Sequence, residues 1–362
     1  MTTIVHVVQH LRPGGLENMV LEQARHGAAS ERHLVVSLEG EGTAAVAAWP
    51  RLQTHVDRLR FLAKPAGWTP ALVPRLARLL RAEGAVAVHT HHLGPLIYGG
   101  LAARLAGVRH LVHTEHDAWH LEGVRRRCLQ WATLALTRPR LVADAEHVAA
   151  RIRARLPGWR PWVVLNGVDT DHFVPGDRAL AREQLDLPRE VRLIGCVARL
   201  HPVKGQRLLI EALLGLDTST HLALAGSGPE EGALRRLVAR LGLAKRVHFM
   251  GWVDAMPTFY QALDLFCLPA LAEGLRLAPL EAQACGIPVV VTAAGSVAET
   301  ACPDTARVVP PGDVAALSTA LAVQLAGIAR ALPSDPRPYV LARAEVRAMA
   351  AAYAALRQPV AR

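Results

Sequence analysis

Two successive series of short β-branched runs, each interleaved with longer segments of helical period, constrain this chain more than any other feature. The first series predicts strands at 4–8, 33–38, 85–89, 110–114, 141–143 and 162–165, with helices at 16–26, 70–82, 96–106, 124–136 and 146–155. The second predicts strands at 192–197, 221–225, 246–250, 265–268, 288–291 and 306–309, with helices at 206–213, 234–241, 256–262, 279–285 and 314–325. Strict alternation of this kind is the pattern of an α/β protein, a parallel sheet covered by helices on both faces. The stretch between the series, 166–178, is rich in Gly, Pro and Asp and reads as an interdomain linker. A length of 362 residues agrees with two domains. Two such domains face a cleft, and ligands of open parallel sheets sit beyond the carboxyl ends of the strands, so the loops after the strands are where function is sought.

Composition removes several classes of protein. With 51% hydrophobic and 20% charged residues, the chain is neither a disordered tail nor a collagen-like repeat nor a small disulfide scaffold. Its five cysteines are an odd number without a CxxC pair, which points away from a disulfide framework or a thiolate zinc site and towards a reducing cytoplasm. Met1 runs directly into the apolar stretch 4–8 with no basic leader, and no run of about 18 apolar residues is present. Neither export nor a membrane span is expected.

The formal charge is +10, and nearly all of the cations are arginine; the lysines are Lys64, Lys204 and Lys245. Arginine clusters at Arg125, Arg126 and Arg127, at Arg138 and Arg140, and at Arg151, Arg153 and Arg155. Such a face suits anionic lipid headgroups or a polyanionic substrate, and equally a solvated helix surface. Nucleic acid is the weakest reading, since aromatics are 4% of the chain and none interleave with these arginines.

Four loops carry candidate chemistry. Gly14 and Gly15 stand between the first strand and its helix, where backbone amides and the helix dipole favour an anion. After strand 192–197 come Arg199 and Lys204, two fixed cations five residues apart and able to grip a diphosphate. Gly226 and Gly228 follow the next strand in GxGxxxG spacing, and no acidic residue ends strand 246–250, so a tight turn near a nucleotide is read rather than a nicotinamide site. The stretch from Glu273 through Leu275, Arg276 and Leu277 to Glu281 offers two carboxylates for vicinal hydroxyls, with Glu281 expected about two turns inside a helix whose start meets phosphates.

Histidines gather at two strand ends: His89, His91 and His92, then His113 and His116 beside Asp117. No HExxH arrangement is present and seventeen histidines make chance clustering common, so no metal is expected and His116 is read as a polar contact to sugar or phosphate. Asp169-Thr170-Asp171 has DxD spacing but lies in the linker, and is read as a turn.

In their order along the chain, PGGLE, THHLG, TEHD, NGVD, VARLHPVKG, LAGSGP, RVHFMGWV and EGLRLAPLEAQACGIPVV resemble the retaining nucleotide-sugar glycosyltransferases of family 4, over essentially the whole sequence. PGGLE and TEHD are further similar to a subgroup associated with exopolysaccharide biosynthesis. The resemblance implies the GT-B fold of two Rossmann-like domains, here 1–166 with a returning helix 339–358, and 167–338. It implies Arg199 and Lys204 on the donor diphosphate, Glu281 on the ribose, Glu273 on sugar hydroxyls, His116 in the sugar pocket, Gly14 and Gly15 near the phosphates, and the base near the backbone around Met250. Arg276 and Leu275 depart from the family's usual glycine and phenylalanine; arginine there supplies charge to the phosphates or obstructs the pocket. The implied reaction moves a sugar from a nucleoside diphosphate to a hydroxyl acceptor with retention, the nucleotide sugar being co-substrate and no cofactor being needed. A glycan or lipid-linked acceptor and peripheral contact with the inner face of the plasma membrane follow as expectations; a non-catalytic homologue and an epimerase of the same fold are the alternatives.

Overall fold

The computed structural model describes residues 1–274, 277–329 and 335–357. It divides into two compact units, Val168–Glu345 and the remainder of the chain.

In the first unit the strands are β1 (Thr2–Val8), β2 (Glu31–Ser37), β3 (Leu59–Phe61), β4 (Ala85–His91), β5 (His110–Glu115), β6 (Arg140–Ala143) and β7 (Trp162–Val163), ordered β3-β2-β1-β4-β5-β6-β7. The second unit holds β8 (Arg192–Val197), β9 (Thr220–Ala225), β10 (Val247–Gly251), β11 (Leu265–Leu268), β12 (Val289–Thr292) and β13 (Arg307–Val309), ordered β10-β9-β8-β11-β12-β13. All the ladders are parallel. In both sheets the order reverses beside the first strand, between β1 and β4 and between β8 and β11, and this is the switch point at which doubly wound sheets bind ligands. The expected α/β class and pair of Rossmann-like sheets are both present.

The two sheets are filled differently. In the second unit, alternate residues of the strands feed two apolar clusters, Ile194, Cys196, Leu222, Leu224 and Cys267 on one face and Leu193, Ala223, Phe266, Leu268 and Val291 on the other. Both faces of a parallel sheet are normally apolar for this reason, each fully buried Leu, Ile or Phe contributing about 1.5–3 kcal/mol. In the first unit one face follows the rule, with Val5, Val7, Leu34, Val36 and Val88 in a single cluster. The opposite face carries His6, His33, His89 and His91, all buried.

Three local features differ from the sequence expectation. Strand β3 has three residues, too few for alternation to be visible in the sequence. The linker ends in a helix, Arg178–Gln184, because Asp177 caps it, its Oδ1 accepting from Ala179 N at 2.8 Å and Leu180 N at 3.0 Å. The single helix expected at 339–358 is instead two. Pro338 starts one early, as Arg337–Arg343, and its Val340 packs with Leu280, Ala284 and Val168 in the second unit. Val168 N then donates to Ala344 O at 2.8 Å and Val168 bridges Glu345, so the chain turns there. The other helix, Val346–Arg357, belongs to the first unit, where Met349, Tyr353 and Arg357 are buried.

Candidate active site

In the second unit the candidate residues converge on the switch point. Lys204 follows β8 and Glu273 follows β11, the two strands that flank the reversal, and Lys204 Nζ donates to Glu273 Oε1. Both are nearly sealed from solvent, at 5% and 2% exposure. An ion pair at this depth holds the two candidate side chains in fixed positions, and removing either partner leaves a buried charge.

The loops that carry them are held by close backbone packing. Gly205 has φ +70°, and a Cβ there would stand 1.9 Å from Pro269 O; Gly295, at φ +60°, would bring one equally close to Glu273 O. Glycine is required at both places because of the left-handed backbone and the missing side-chain volume together. Leu200 N donates to Ser227 O at 2.9 Å and Gly226 N to Gly251 O at 2.7 Å, which ties the Gly226–Gly228 turn to the loops after β8 and β10. Met250 lies near the end of β10, beside that tie. Arg199 is exposed just beyond β8.

Glu281 sits in helix Leu277–Ala284, one turn from its start rather than the expected two, because the helix begins only two residues before Pro279 and Glu273 lies in the preceding loop. Tyr260 Oη donates to Glu281 Oε2 at 2.6 Å. Burial, and then the Glu281 charge, raise the Tyr260 hydroxyl well above its ordinary pKa, so it is a fixed donor. Tyr260 is a positioning residue that the sequence did not single out, since it lies on a different element from the motif it serves. Leu275 and Arg276 lie outside the described residues. Burial, and then the charge of Glu273, push the Cys196 thiol up to about 12, which suits packing and not nucleophilic attack.

In the first unit Gly14 and Gly15 stand at the start of helix Gly15–Arg25, and space around Gly15 is open. His116 follows β5 and is clamped on both sides. Its Nδ1 lies 3.2 Å from Asp144 Oδ2, which also accepts from Asn166 Nδ2 at 3.0 Å, and its Nε2 lies 3.1 Å from His91 Nδ1. Asp144 was not anticipated; its signal is its position, the residue directly after β6. His92 and His113 belong to a different group, around buried Glu115, whose oxygens lie 3.7 Å from His92 Nδ1 and 2.8 Å from His113 Nε2. Burial opposes that carboxylate's charge, but His113 and its neighbours hold its pKa well below the ordinary value.

The linker Asp169 is a turn residue, its Oδ1 accepting from Asp171 N at 3.0 Å and His172 N at 3.1 Å. The arginine clusters divide. Arg155 pairs with Glu122 at 2.6 Å, Arg151 pairs with the same residue, and Arg153 pairs with Glu146 at 2.7 Å, so these three share two carboxylates. Arg125 and Arg126 are exposed on helix Val124–Thr137, together with Val124, Leu129, Trp131 and Leu136.

Known proteins share this organisation. Residues 13–172 match the family described as Glycosyltransferase Family 4, and residues 191–326 match Glycosyl transferases group 1. A GDP-mannose-dependent alpha-(1-6)-phosphatidylinositol monomannoside mannosyltransferase of Mycolicibacterium smegmatis is 33% identical over 288 residues, covering 72% of this chain and 73% of that protein. A UDP-Gal:alpha-D-GlcNAc-diphosphoundecaprenol alpha-1,3-galactosyltransferase of Escherichia coli is 31% identical over 60% of each chain. Among solved structures, Anabaena Alr3699/HepE in complex with UDP and glucose superposes with a TM-score of 0.84 at 23% identity, over 98% of this chain and 99% of that one. With two Rossmann-like sheets and a matching relative along most of its length, this chain belongs to the family 4 glycosyltransferases of the GT-B fold.

Proposed function

We propose that the enzyme transfers a sugar, with retention of configuration, from a nucleoside diphosphate to the hydroxyl of a lipid-linked glycan acceptor. The observation that carries this reading is the buried Lys204–Glu273 pair at the switch point of the second sheet, with Glu281 held by Tyr260 one turn into the neighbouring helix. Breaking the sugar–phosphate bond builds negative charge on the departing diphosphate. Lys204 and exposed Arg199 stabilise that charge, as preorganised cations in a water-poor site do most effectively. When the diphosphate engages Lys204, Glu273 is released to accept hydrogen bonds from sugar hydroxyls. Glu281 accepts from the two ribose hydroxyls, and the base lies along the backbone near Met250. In the first unit His116 is fixed between Asp144 and His91. Charge stabilisation by side chains and a helix start leaves the transfer itself without need of a metal.

The acceptor reading draws on the relatives, whose names specify a phosphatidylinositol mannoside and a diphosphoundecaprenol substrate. It draws also on helix Val124–Thr137, whose exposed Trp131, Leu129 and Leu136 beside Arg125 and Arg126 suit an anionic bilayer surface. No described helix is long and apolar enough to cross a membrane. Peripheral binding at the cytoplasmic leaflet, in synthesis of a glycolipid or exopolysaccharide, is the setting we assign.

The test is turnover of a panel of UDP- and GDP-sugars with a polyprenyl- or phosphatidylinositol-linked acceptor, the anomeric configuration of the product being read by NMR. Lys204→Ala and Glu273→Ala are each expected to lower kcat by about 10²–10³-fold. Unchanged turnover in both would overturn the site, and an inverted product would overturn retention.

A further inference from the structure

The histidine face of the first sheet contains a set of ring nitrogens that the transfer reaction does not use. His6 of β1 and His89 of β4 are register partners, and His91 lies two residues further along the same face of β4. One ring nitrogen from each lies within 4.8 Å of the other two, at exposures of 0%, 0% and 1%. Burial first, and then neighbouring cations and histidines, lower the pKa of all three well below the ordinary value.

Their outward nitrogens are all engaged. His6 Nε2 lies 2.9 Å from His33 Nδ1, whose Nε2 lies 3.0 Å from Glu31; His91 Nδ1 lies 3.1 Å from His116 Nε2, whose Nδ1 meets Asp144 at 3.2 Å; His89 Nε2 lies 2.8 Å from Thr114 Oγ1. Imidazole ligands of metals are held this way, with the second nitrogen bonded to a carboxylate, a hydroxyl or another ring. The remaining nitrogens are His6 Nδ1 and His91 Nε2, 3.4 Å apart, and His89 Nδ1, which has no hydrogen-bond partner although it is fully buried.

Counting protons separates the explanations. The string Glu31–His33–His6–His91–His116–Asp144 makes five contacts. One N–H on each of the four rings would serve only four of them. A fifth proton, on a ring or on Asp144, would complete the string but leave His89 Nδ1 unsatisfied. A cation between His6 and His91 replaces the middle contact, lets the four N–H groups serve the four remaining contacts, and takes the His89 lone pair as well. The separation agrees, since metal–nitrogen bonds of 2.0–2.1 Å in tetrahedral array set nitrogens about 3.4 Å apart, whereas a charge-assisted hydrogen bond would close to about 2.7–2.9 Å.

We propose that His6 Nδ1, His89 Nδ1 and His91 Nε2 form a buried three-histidine site for a divalent first-row transition metal ion, zinc foremost, which through His91 fixes the ring and tautomer of His116. All-imidazole donors favour such ions over magnesium or calcium. The ion is a structural element of the first unit, separate from the diphosphate chemistry, and its presence is measurable whether or not the proposed transfer reaction is correct.

The experiment is metal analysis of the full-length, tag-free protein after loading with Zn²⁺ or Co²⁺ and exhaustive dialysis. One equivalent per chain and the intense d–d absorption of a tetrahedral Co²⁺–imidazole centre are expected. His89→Gln should abolish both, His33→Gln should retain the spectrum with affinity weakened about 10- to 100-fold, and surface His172→Gln should change neither. Because His89→Gln could fail to fold, the wild-type Co²⁺ protein supplies a second reading: hyperfine-shifted imidazole N–H resonances from three histidines. A folded wild-type protein that retains less than a tenth of an equivalent of either ion, or whose Co²⁺ spectrum is octahedral and survives in His89→Gln, overturns the proposal.

Discussion

The switch points of the two sheets solve one problem, how to hold polar groups at the carboxyl ends of buried strands, in opposite ways. At the second unit's switch point β8 is apolar after Arg192 and β11 is apolar throughout, and polarity comes from the loops beyond them, where glycines let backbones interlock around the Lys204–Glu273 pair. In the first unit polarity enters the sheet itself, as a face of histidines linked in a string that ends on Glu31 and Asp144. The first solution places a charged pair at the strand ends, whereas the second spreads many weak interactions along a string. Damage is therefore expected to be abrupt in the second unit and graded in the first.

The largest expected effect is at the ion pair. Lys204→Met leaves Glu273 charged and buried and should lower the unfolding free energy by about 3–5 kcal/mol, read by chemical denaturation. Lys204→Met combined with Glu273→Leu should recover most of that loss and remain inactive, so stability and turnover separate. A single substitution without cost would break the comparison at its strongest point.

Next comes loop packing. Gly205→Ala combines φ +70° with a contact to Pro269 O, and a loss of about 2–3 kcal/mol is expected. Gly15→Ala, with nothing within 4 Å of the added methyl, should change thermal stability by less than about 0.5 kcal/mol. Equal losses would mean that the first unit's loop is packed as tightly as the second's.

A pH dependence sharpens the contrast from the other side. Burial opposes charge on His120, but its contact with Asp117, the charge of Glu115 and the bond to Gln130 raise its pKa to about 9. A folded-state value above the ordinary 6.5 gives a stabilisation that is complete below about pH 6.5 and is lost as the pH rises through 9. The difference in unfolding free energy between wild type and His120→Gln should accordingly shrink by of order 2 kcal/mol between pH 6 and pH 10. A difference that is flat with pH would remove His120 from the charged network.

The smallest effects are at the two tyrosines. Tyr260→Phe should cost about 1 kcal/mol and raise the donor KM several-fold with kcat little changed, because Glu281 loses its orienting donor. Tyr353→Phe removes a hydroxyl 3.1 Å from Thr114 Oγ1 and should cost about 1 kcal/mol with no change in KM.

The same contrast explains what could be read from the sequence. Strand positions were legible because β-branched runs alternate with helical segments, and most were found to within a few residues. Arg199, Lys204 and Glu273 were legible because each lies in a contiguous loop motif, and Glu281 because it follows Glu273 at short spacing in the next helix. The Tyr260–Glu281 bond was not, since it joins elements 21 positions apart. The histidine string was visible only in part, as two clusters at strand ends. His6 lies within β1 and His33 near the start of β2, and only the register β1–β4 and β1–β2 brings them beside His89 and His91. Splitting of the terminal helix escaped notice because the cause, the bridge from Val168 to Glu345, is a contact between distant positions.

The helix that roofs the histidine face is built late. Tyr353 reaches Thr114 across 239 positions, and Arg357 binds Glu31 across 326. A ribosome therefore emits the whole of the second unit between the strands of the first and the helix that covers them. During that interval the second unit can fold on its own, while the earlier-made one waits with its polar sheet face uncovered. Order of synthesis and order of completion are thus reversed in this enzyme, and the half that is translated first is the half that matures last.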